Sequence, residues 1–91
     1  MPEIEVKLRS TAEFFSAAID MRRLRFANGR AVRALAAREQ HALQWFVRGS
    51  PGTGYAIEIT KPRAARFTHA ATLDREMKDA GVHWFSLEDG G

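Results

Sequence analysis

The first residues of the chain alternate between apolar and charged side chains. Residues 4–9 follow this pattern without a break, and a period of two is typical of a strand that buries one face. Ser10 can then act as a helix N-cap, and Glu13 three residues later would complete a capping box. The pattern therefore predicts a strand over 4–9 that is followed at once by a helix.

From Thr11 onward the apolar spacing changes to that of a helix. Apolar residues recur at intervals of three and four, as on one face of an amphipathic helix: Phe14, Ala17, Ala18, Met21 and Leu24. Asn28-Gly29 would either end this helix or form a hairpin turn. Because a two-residue hairpin would place Leu24 opposite Arg33 on one face, we predict a second helix over 30–41 instead.

The middle of the chain returns to alternation. Residues 43–48 predict a strand, and residues 49–54 are rich in glycine, serine and threonine around Pro51, which predicts a hairpin loop. The return strand covers 55–59 and ends before Pro62.

The last third combines a helical and an extended pattern. Apolar residues at helical spacing predict a third helix over 70–80 that ends at Gly81, followed by a strand over 82–87 and a frayed tail over 88–91. The order β-α-α-β-β-α-β resembles the ferredoxin-like split βαβ arrangement with one extra helix. We therefore expect an α+β fold, in which a small antiparallel sheet of about four strands packs on helices in a single domain, 1–91.

Composition excludes several kinds of chemistry. Cysteine is absent, which rules out disulfides, thiolate catalysis and cysteine-ligated metal centres, and agrees with a reducing compartment. His41, His69 and His83 have no metal-ligand spacing, so we expect neither a metal nor another cofactor. The N-terminus lacks the pattern of a signal peptide, and no apolar run reaches the roughly 18 residues of a membrane span. We expect a cytoplasmic protein that does not bind membranes.

Basic residues are concentrated in the middle of the chain. Ten of the fourteen lysines and arginines lie between residues 22 and 66 with only two acids, so this stretch carries +8, whereas both ends are acidic. Such asymmetry favours an anionic partner, either nucleic acid or an acidic protein surface. The residues that we expect to bind this partner are Arg22, Arg25, Arg30, Arg33, Arg48 and Lys61.

The predicted helices give these arginines two interpretations. Arg22 and Arg25 would end the first helix, whose dipole favours cations there, so a structural role is the alternative for them. Arg30 and Arg33 would lie in the first turn of the second helix, where positive charge is disfavoured and free backbone N–H groups attract anions. We therefore centre the predicted anion site on residues 28–33.

The predicted strands also suggest an exposed sheet face that carries aromatic rings. Phe46 and Arg48 would share this face, and the last strand would add either Trp84 or Phe85. Basic residues beside exposed rings are how some sheets bind single-stranded nucleic acid. The candidate aromatic contacts are therefore Phe46, Trp84 and Phe85, and the alternative is that Phe46 packs under the second helix.

These observations favour a binding module that is not an enzyme. Gly54-Tyr55-Ala56-Ile57 is similar to part of the third-strand motif of the RNA-recognition motif family, but Glu58 and Thr60 depart from that motif, so membership does not follow. One alternative is a metal-independent ribonuclease of the small bacterial toxin kind, which the chain resembles in size and basicity. Its candidate catalytic groups are Arg48, Lys61, Tyr55 and His83. Another is an assembly protein that associates through an edge strand, for example as a homodimer.

Overall fold

The computed structural model describes residues 2–88. Its strands are β1 (Glu3–Ser10), β2 (Phe14–Ile19), β3 (Arg22–Arg23), β4 (Arg30–Ala34), β5 (Gln40–Arg48), β6 (Gly54–Lys61), β7 (Phe67–Thr72) and β8 (Lys78–Ser86). They form two four-stranded antiparallel sheets: a first sheet in the order β4-β1-β6-β7 and a second sheet in the order β3-β2-β5-β8. Within residues 2–88 the only helical segment is the 3-10 turn Arg63–Ala65.

The two sheets pack face to face around one core. Ring contacts cross between them, with centroid distances of 5.9 Å for Phe15 and Tyr55 and 6.1 Å for Trp45 and Phe67. The most deeply buried side chains come from both sheets: Ile4, Val6, Ile57 and Ile59 from the first, and Ile19, Leu43 and Val47 from the second. The predicted α+β fold is therefore wrong, because each sheet buries its apolar face against the other sheet and not against helices.

The residues predicted as the first helix form β2 and β3. Ala17 and Ile19 are buried in the core, and they lie opposite Trp45 and Leu43 of β5. Alanine is small enough to suit either period, so the helical spacing over 14–24 coexists with the alternation of a strand. Pairing with β5 decides between them, because the alternation buries side chains of both strands on one face.

Asn28 and Gly29 form a hairpin turn, which was the alternative to the predicted second helix. Their φ angles are +54° and +77°, and the flanking residues Ala27 and Arg30 form a bridge. Two successive positive φ values are those of a type I′ turn, which Asn-Gly favours. The predicted second helix over 30–41 is wrong because β4 pairs with β1. Among the described residues, the chain before the turn pairs with β4 only through that bridge, so the expected Leu24–Arg33 pair does not arise.

The strands predicted around the 49–54 loop are confirmed, but the hairpin is wrong. They are β5 and β6, and β6 ends just before Pro62. The two strands belong to opposite sheets, so the loop crosses from one layer of the sandwich to the other. Its backbone is held by the loop before β8, with hydrogen bonds from Gly49 N–H to the Met77 carbonyl and from Gly52 N–H to the Leu73 carbonyl.

The predicted third helix is also wrong. Its residues belong to β7, a connecting loop and the start of β8, and Gly81 lies inside β8 instead of ending a helix. The last predicted strand is confirmed as the second half of β8. Of the tail predicted over 88–91, only Glu88 belongs to the described residues, and 89–91 lie outside them.

An ion pair with a buried histidine holds the β2–β3 turn against β5. The His41 Nδ1 atom lies 2.5 Å from Asp20 Oδ2, and its Nε2 atom lies 2.8 Å from the Ala36 carbonyl oxygen. Asp20 Oδ1 also accepts the Ala42 N–H at 2.9 Å. Because both ring nitrogens face acceptors, this arrangement favours the doubly protonated imidazolium form of His41.

The stability that this pair contributes is expected to depend on pH. Burial opposes the charge on His41, but the Ala36 carbonyl and the Asp20 carboxylate outweigh it and raise the pKa of His41. The contribution is therefore full below the ordinary histidine pKa of about 6.5, and it is lost as the pH rises through the higher pKa of the folded state. In urea unfolding between pH 6 and 9, His41→Gln should remove this loss. An unchanged difference between wild type and variant across that range would contradict the assignment.

Candidate binding face

The six basic residues predicted to bind a partner do not form one surface. Arg22, Arg25, Arg30, Arg48 and Lys61 are exposed, but they lie at different edges and on the outer faces of both sheets, and Arg33 is half-buried. The Arg33 guanidinium donates to the carbonyl oxygens of Arg22 at 2.8 Å and of Arg23 at 2.7 Å. Arg33 therefore joins the edge of the first sheet to the edge of the second.

The predicted anion site at a helix N-terminus does not exist, since residues 28–33 form a turn and a strand. Arg30 instead lies 3.5 Å from a carboxylate oxygen of Glu5 on the outer face of the first sheet. The Thr60 hydroxyl donates to the other carboxylate oxygen at 2.5 Å. This hydrogen bond, followed by the charges of Lys61 and Arg30, lowers the pKa of Glu5.

Exposed rings are instead found together on the outer face of the second sheet. We call this outer surface of the second sheet the aromatic face. It is formed by the outward side chains at alternate positions of β2, β5 and β8, together with Arg23 of β3. Phe14 and Phe46 are each 37% exposed and Trp84 is 60% exposed. The two phenylalanine rings meet edge to face, with 6.1 Å between their centroids.

The aromatic face carries cations without acids. Its charged side chains are Arg23, Arg48 and Lys78, and the outward positions of β2, β5 and β8 include no carboxylate. Arg48 lies over the Phe14 ring, 5.5 Å from its centroid. Arg48 and Lys78 lie directly opposite each other on adjacent strands, and neither forms an ion pair within the described chain. Like charges in such a pair destabilise a sheet.

The rings occupy two ends of this face. Trp84 lies opposite Ala42 of β5. Ala42 and Phe46 are four residues apart on this strand, which corresponds to roughly 13 Å. Gln44 and Val82 lie opposite each other between these ends. Beside Gln44, a shallow depression of about 290 Å³ extends to Ala18 and Arg23. The face therefore offers two ring surfaces separated by an amide and an apolar side chain.

The aromatic residues named from the sequence divide between this face and the core. Phe46 and Trp84 are exposed, whereas Phe85 is buried at 8% exposure, with its ring 5.6 Å from that of His41. Phe46 therefore does not pack beneath a helix. Sequence reasoning missed Phe14 and Lys78 because their segments were interpreted as helices. A period of two over 14–18 and 78–86 would have placed both on the outer face.

The groups considered for RNA cleavage lie apart. Arg48 and Lys61 lie on the outer faces of different sheets. His83 faces the interior and stacks on Phe67 with 3.7 Å between centroids, and its burial lowers its pKa. Tyr55 is buried, at 4% exposure.

The Tyr55 hydroxyl is the centre of an interior hydrogen-bond network. It donates to Asp79 Oδ2 at 2.5 Å and lies 3.3 Å from Trp45 Nε1 and 3.1 Å from His69 Nε2. Because its only proton goes to the carboxylate, Trp45 and His69 must be the donors to its oxygen. Burial, together with the Asp79 carboxylate, raises the pKa of Tyr55 to about 12. The hydroxyl is thus held neutral and saturated with partners, which suits a structural role.

Residues 2–88 contain no group of three or more histidine, aspartate or glutamate side chains placed to hold a metal ion. The same residues include no helix long and apolar enough to cross a membrane. Comparisons of the chain with protein-family models, with curated proteins and with solved structures found no match.

Proposed function

We propose that this protein is a binding module that docks single-stranded nucleic acid on the aromatic face. The observation that carries the proposal is the combination on one open sheet surface of three exposed rings and three cations with no acid. It is not proposed to be an enzyme. The absence of cysteine is compatible with a cytoplasmic location.

The rings supply the contact that single strands need. Unpaired bases stack on exposed aromatic side chains, and this stacking is tolerant of sequence because every base has a π face. Trp84 offers the most exposed ring, and the Phe14–Phe46 pair offers a second stacking position at the other end of the face. The amide of Gln44, half-buried between them, can donate and accept hydrogen bonds at a base edge.

The cations supply the contact with the backbone. Arg48 and Lys78 repel each other across β5 and β8, and a phosphate placed between them would relieve that repulsion. Arg23 extends the positive surface to the other edge of the sheet. Since the face includes no carboxylate, a polyanion would meet no repulsion along it.

Nucleic acid fits this surface better than an acidic protein does. The core of a protein interface is depleted of charge and has its aromatic anchors clustered. Here the rings stand at the two ends of the face, and Arg48 and Lys78 lie beside one of them. A homodimer formed by strand addition would instead use an edge strand such as β7 or β8, and a mass measurement by light scattering would detect it.

Fluorescence anisotropy with a labelled single-stranded oligonucleotide tests the proposal. Trp84→Ala should weaken binding about ten-fold or more, because stacking contributes about 1–3 kcal/mol per base. Arg48→Gln and Lys78→Gln should each lower the slope of log K against log salt by about 0.7, the value for one phosphate contact on a single strand.

The matched control is Arg66→Gln, which removes one exposed arginine outside the aromatic face. It should leave the affinity nearly unchanged. Equal losses for Arg66→Gln and Arg48→Gln would reduce the interaction to general charge attraction and would overturn the assigned face. Binding to an acidic peptide but not to the oligonucleotide would mean that the aromatic face binds a protein and not nucleic acid.

A further inference from the structure

The outer face of the first sheet holds a separate groove of about 790 Å³. It lies on the opposite side of the sandwich from the aromatic face, between the Ala27–Arg30 turn and β6. We call it the first-sheet groove, and the side chains that matter in it are Lys7, Arg9, Arg30, Ala56, Glu58 and Thr68. Its volume is within the range of small-molecule sites, about 300–1,000 Å³.

The wall of this groove is fixed by the chain itself. Leu8 N–H donates to the Gly29 carbonyl at 2.8 Å, which holds the turn against β1. A Cβ atom at Gly29 would lie only 2.9 Å from the Leu8 carbonyl oxygen, and its φ is +77°. Glycine is therefore required for the turn to approach this closely. On the floor, the small side chain of Ala56 leaves room beside Arg9, its cross-strand partner.

One side of the groove is positively charged. Lys7 lies between Arg30 on β4 and Glu58 on β6, so it faces a like charge on one side and a carboxylate on the other. Arg30 is partly neutralised by Glu5 at 3.5 Å. Lys7 and Arg9 form no ion pair with any residue from 2 to 88. Arg9, which faces Ala56, is thus the cation most available to an anionic group, and Lys7 adds a second positive charge beside it.

The other side of the groove offers hydrogen-bonding groups of a different kind. Glu58 lies opposite Lys7 on one side and opposite Thr68 on the other. A carboxylate accepts hydrogen bonds from hydroxyl groups, as acidic residues do with ribose in dinucleotide sites. An anion alone would leave Glu58 unused and would be repelled by it.

We infer that the first-sheet groove binds a sugar phosphate group, with the phosphate at Lys7 and Arg9 and the sugar hydroxyls at Glu58 and Thr68. This chemistry occurs in a free sugar phosphate and in the backbone of a nucleic acid. The inference does not depend on the aromatic face, but the competition that distinguishes these two sources rests on the oligonucleotide binding proposed for that face.

Calorimetric titration of the full chain with ribose 5-phosphate, ribose and inorganic phosphate tests this assignment. Ribose 5-phosphate should bind at least ten-fold more tightly than phosphate, and ribose should give no measurable binding. Arg9→Gln should weaken ribose 5-phosphate about ten-fold. Glu58→Ala should abolish the preference over phosphate, since it removes both the hydroxyl acceptor and the charge that repels phosphate alone.

Arg66→Gln is again the matched control and should bind like wild type. If Arg9→Gln does not fold, the wild-type protein can be tested directly. Addition of ribose 5-phosphate should then shift the amide NMR signals of Arg9, Ala56 and Thr68. Lack of those shifts, or equal affinity for phosphate and ribose 5-phosphate, would overturn the proposal.

Competition distinguishes the two sources of the sugar phosphate. If the ligand is free in solution, ribose 5-phosphate and an oligonucleotide should bind the wild-type protein together. If the groove holds nucleic acid backbone, ribose 5-phosphate should displace the oligonucleotide from the Trp84→Ala variant. Either result supports a sugar phosphate site, provided that Arg9→Gln weakens the binding in question.

Discussion

Gly81→Ala is expected to lower the free energy of unfolding by about 3 kcal/mol, the upper end of the usual cost of overpacking a core. A Cβ atom at this position would lie 2.3 Å from Trp45 Cζ2 and 2.6 Å from Cε2. Trp45 has little room to retreat, because its indole nitrogen bonds Tyr55 and its ring lies 5.0 Å from the ring of His69. Urea unfolding followed by fluorescence measures the change.

Gly54→Ala is the matched control for this substitution. Gly54 is also in a strand, but a Cβ atom there would lie 3.9 Å from its nearest neighbour, the Ala71 carbonyl oxygen. Its φ lies outside the positive range that alanine avoids. The control should therefore change stability little. A similar loss in both variants would mean that strand glycines, and not the Trp45 contact, set the cost.

Phe85→Ala is expected to cost about 3–5 kcal/mol, the range found when a core phenylalanine is truncated. Phe85 is buried between the sheets, and its ring centroid lies 5.6 Å from the tilted ring of His41 and 6.1 Å from the stacked ring of His83. Its removal should leave a cavity that these rings cannot fill. Thermal and urea unfolding would both report the loss.

Phe46→Ala is the matched comparison for the stability of Phe85→Ala. The same side chain is removed, but from the aromatic face, where Phe46 is 37% exposed. We expect a loss well below that of Phe85→Ala, together with weaker oligonucleotide binding. A loss of about 3 kcal/mol or more at Phe46 would instead place it in a core and would contradict its assignment to the binding face.

The sequence was sufficient for strands whose apolar residues are large. In β1 and β6 the inward positions carry isoleucine, valine, leucine or tyrosine, and the alternation has no competing period. The same holds in β5, where Leu43, Trp45 and Val47 are all buried. Because successive side chains of a strand face opposite ways, that alternation also predicts that Phe46 and Arg48 share an outer face.

The sequence misled where alanine filled the apolar positions. Ala17 and Ala18 fit the spacing of a helix, yet Ala17 is buried and Ala18 lies on the outer face of β2. Gly81 was predicted to end a helix, but its lack of a side chain leaves room for the Trp45 ring. Small residues suit both periods, so only their partners on neighbouring strands distinguish them.

The candidate site could be predicted only in part for the same reason. Basic residues near each other in the sequence, such as Arg30 and Arg33, are separated because successive positions in a strand face opposite ways, so that residues an odd number apart lie on different faces. Residues far apart, such as Phe14 and Lys78, meet on one face because β2 and β8 both pair with β5.

By itself, the sequence determined the strands with large apolar residues, the turn tendency of Asn28-Gly29, the absence of cysteine chemistry and the positive charge of the centre. These follow from local periodicity, backbone preference and composition. Only the tertiary structure decided that β5 and β6 belong to opposite sheets, that Arg33 joins two edges and that rings and cations share the aromatic face. Such features depend on which strands pair, and pairing is set by the burial of side chains that are distant in the chain.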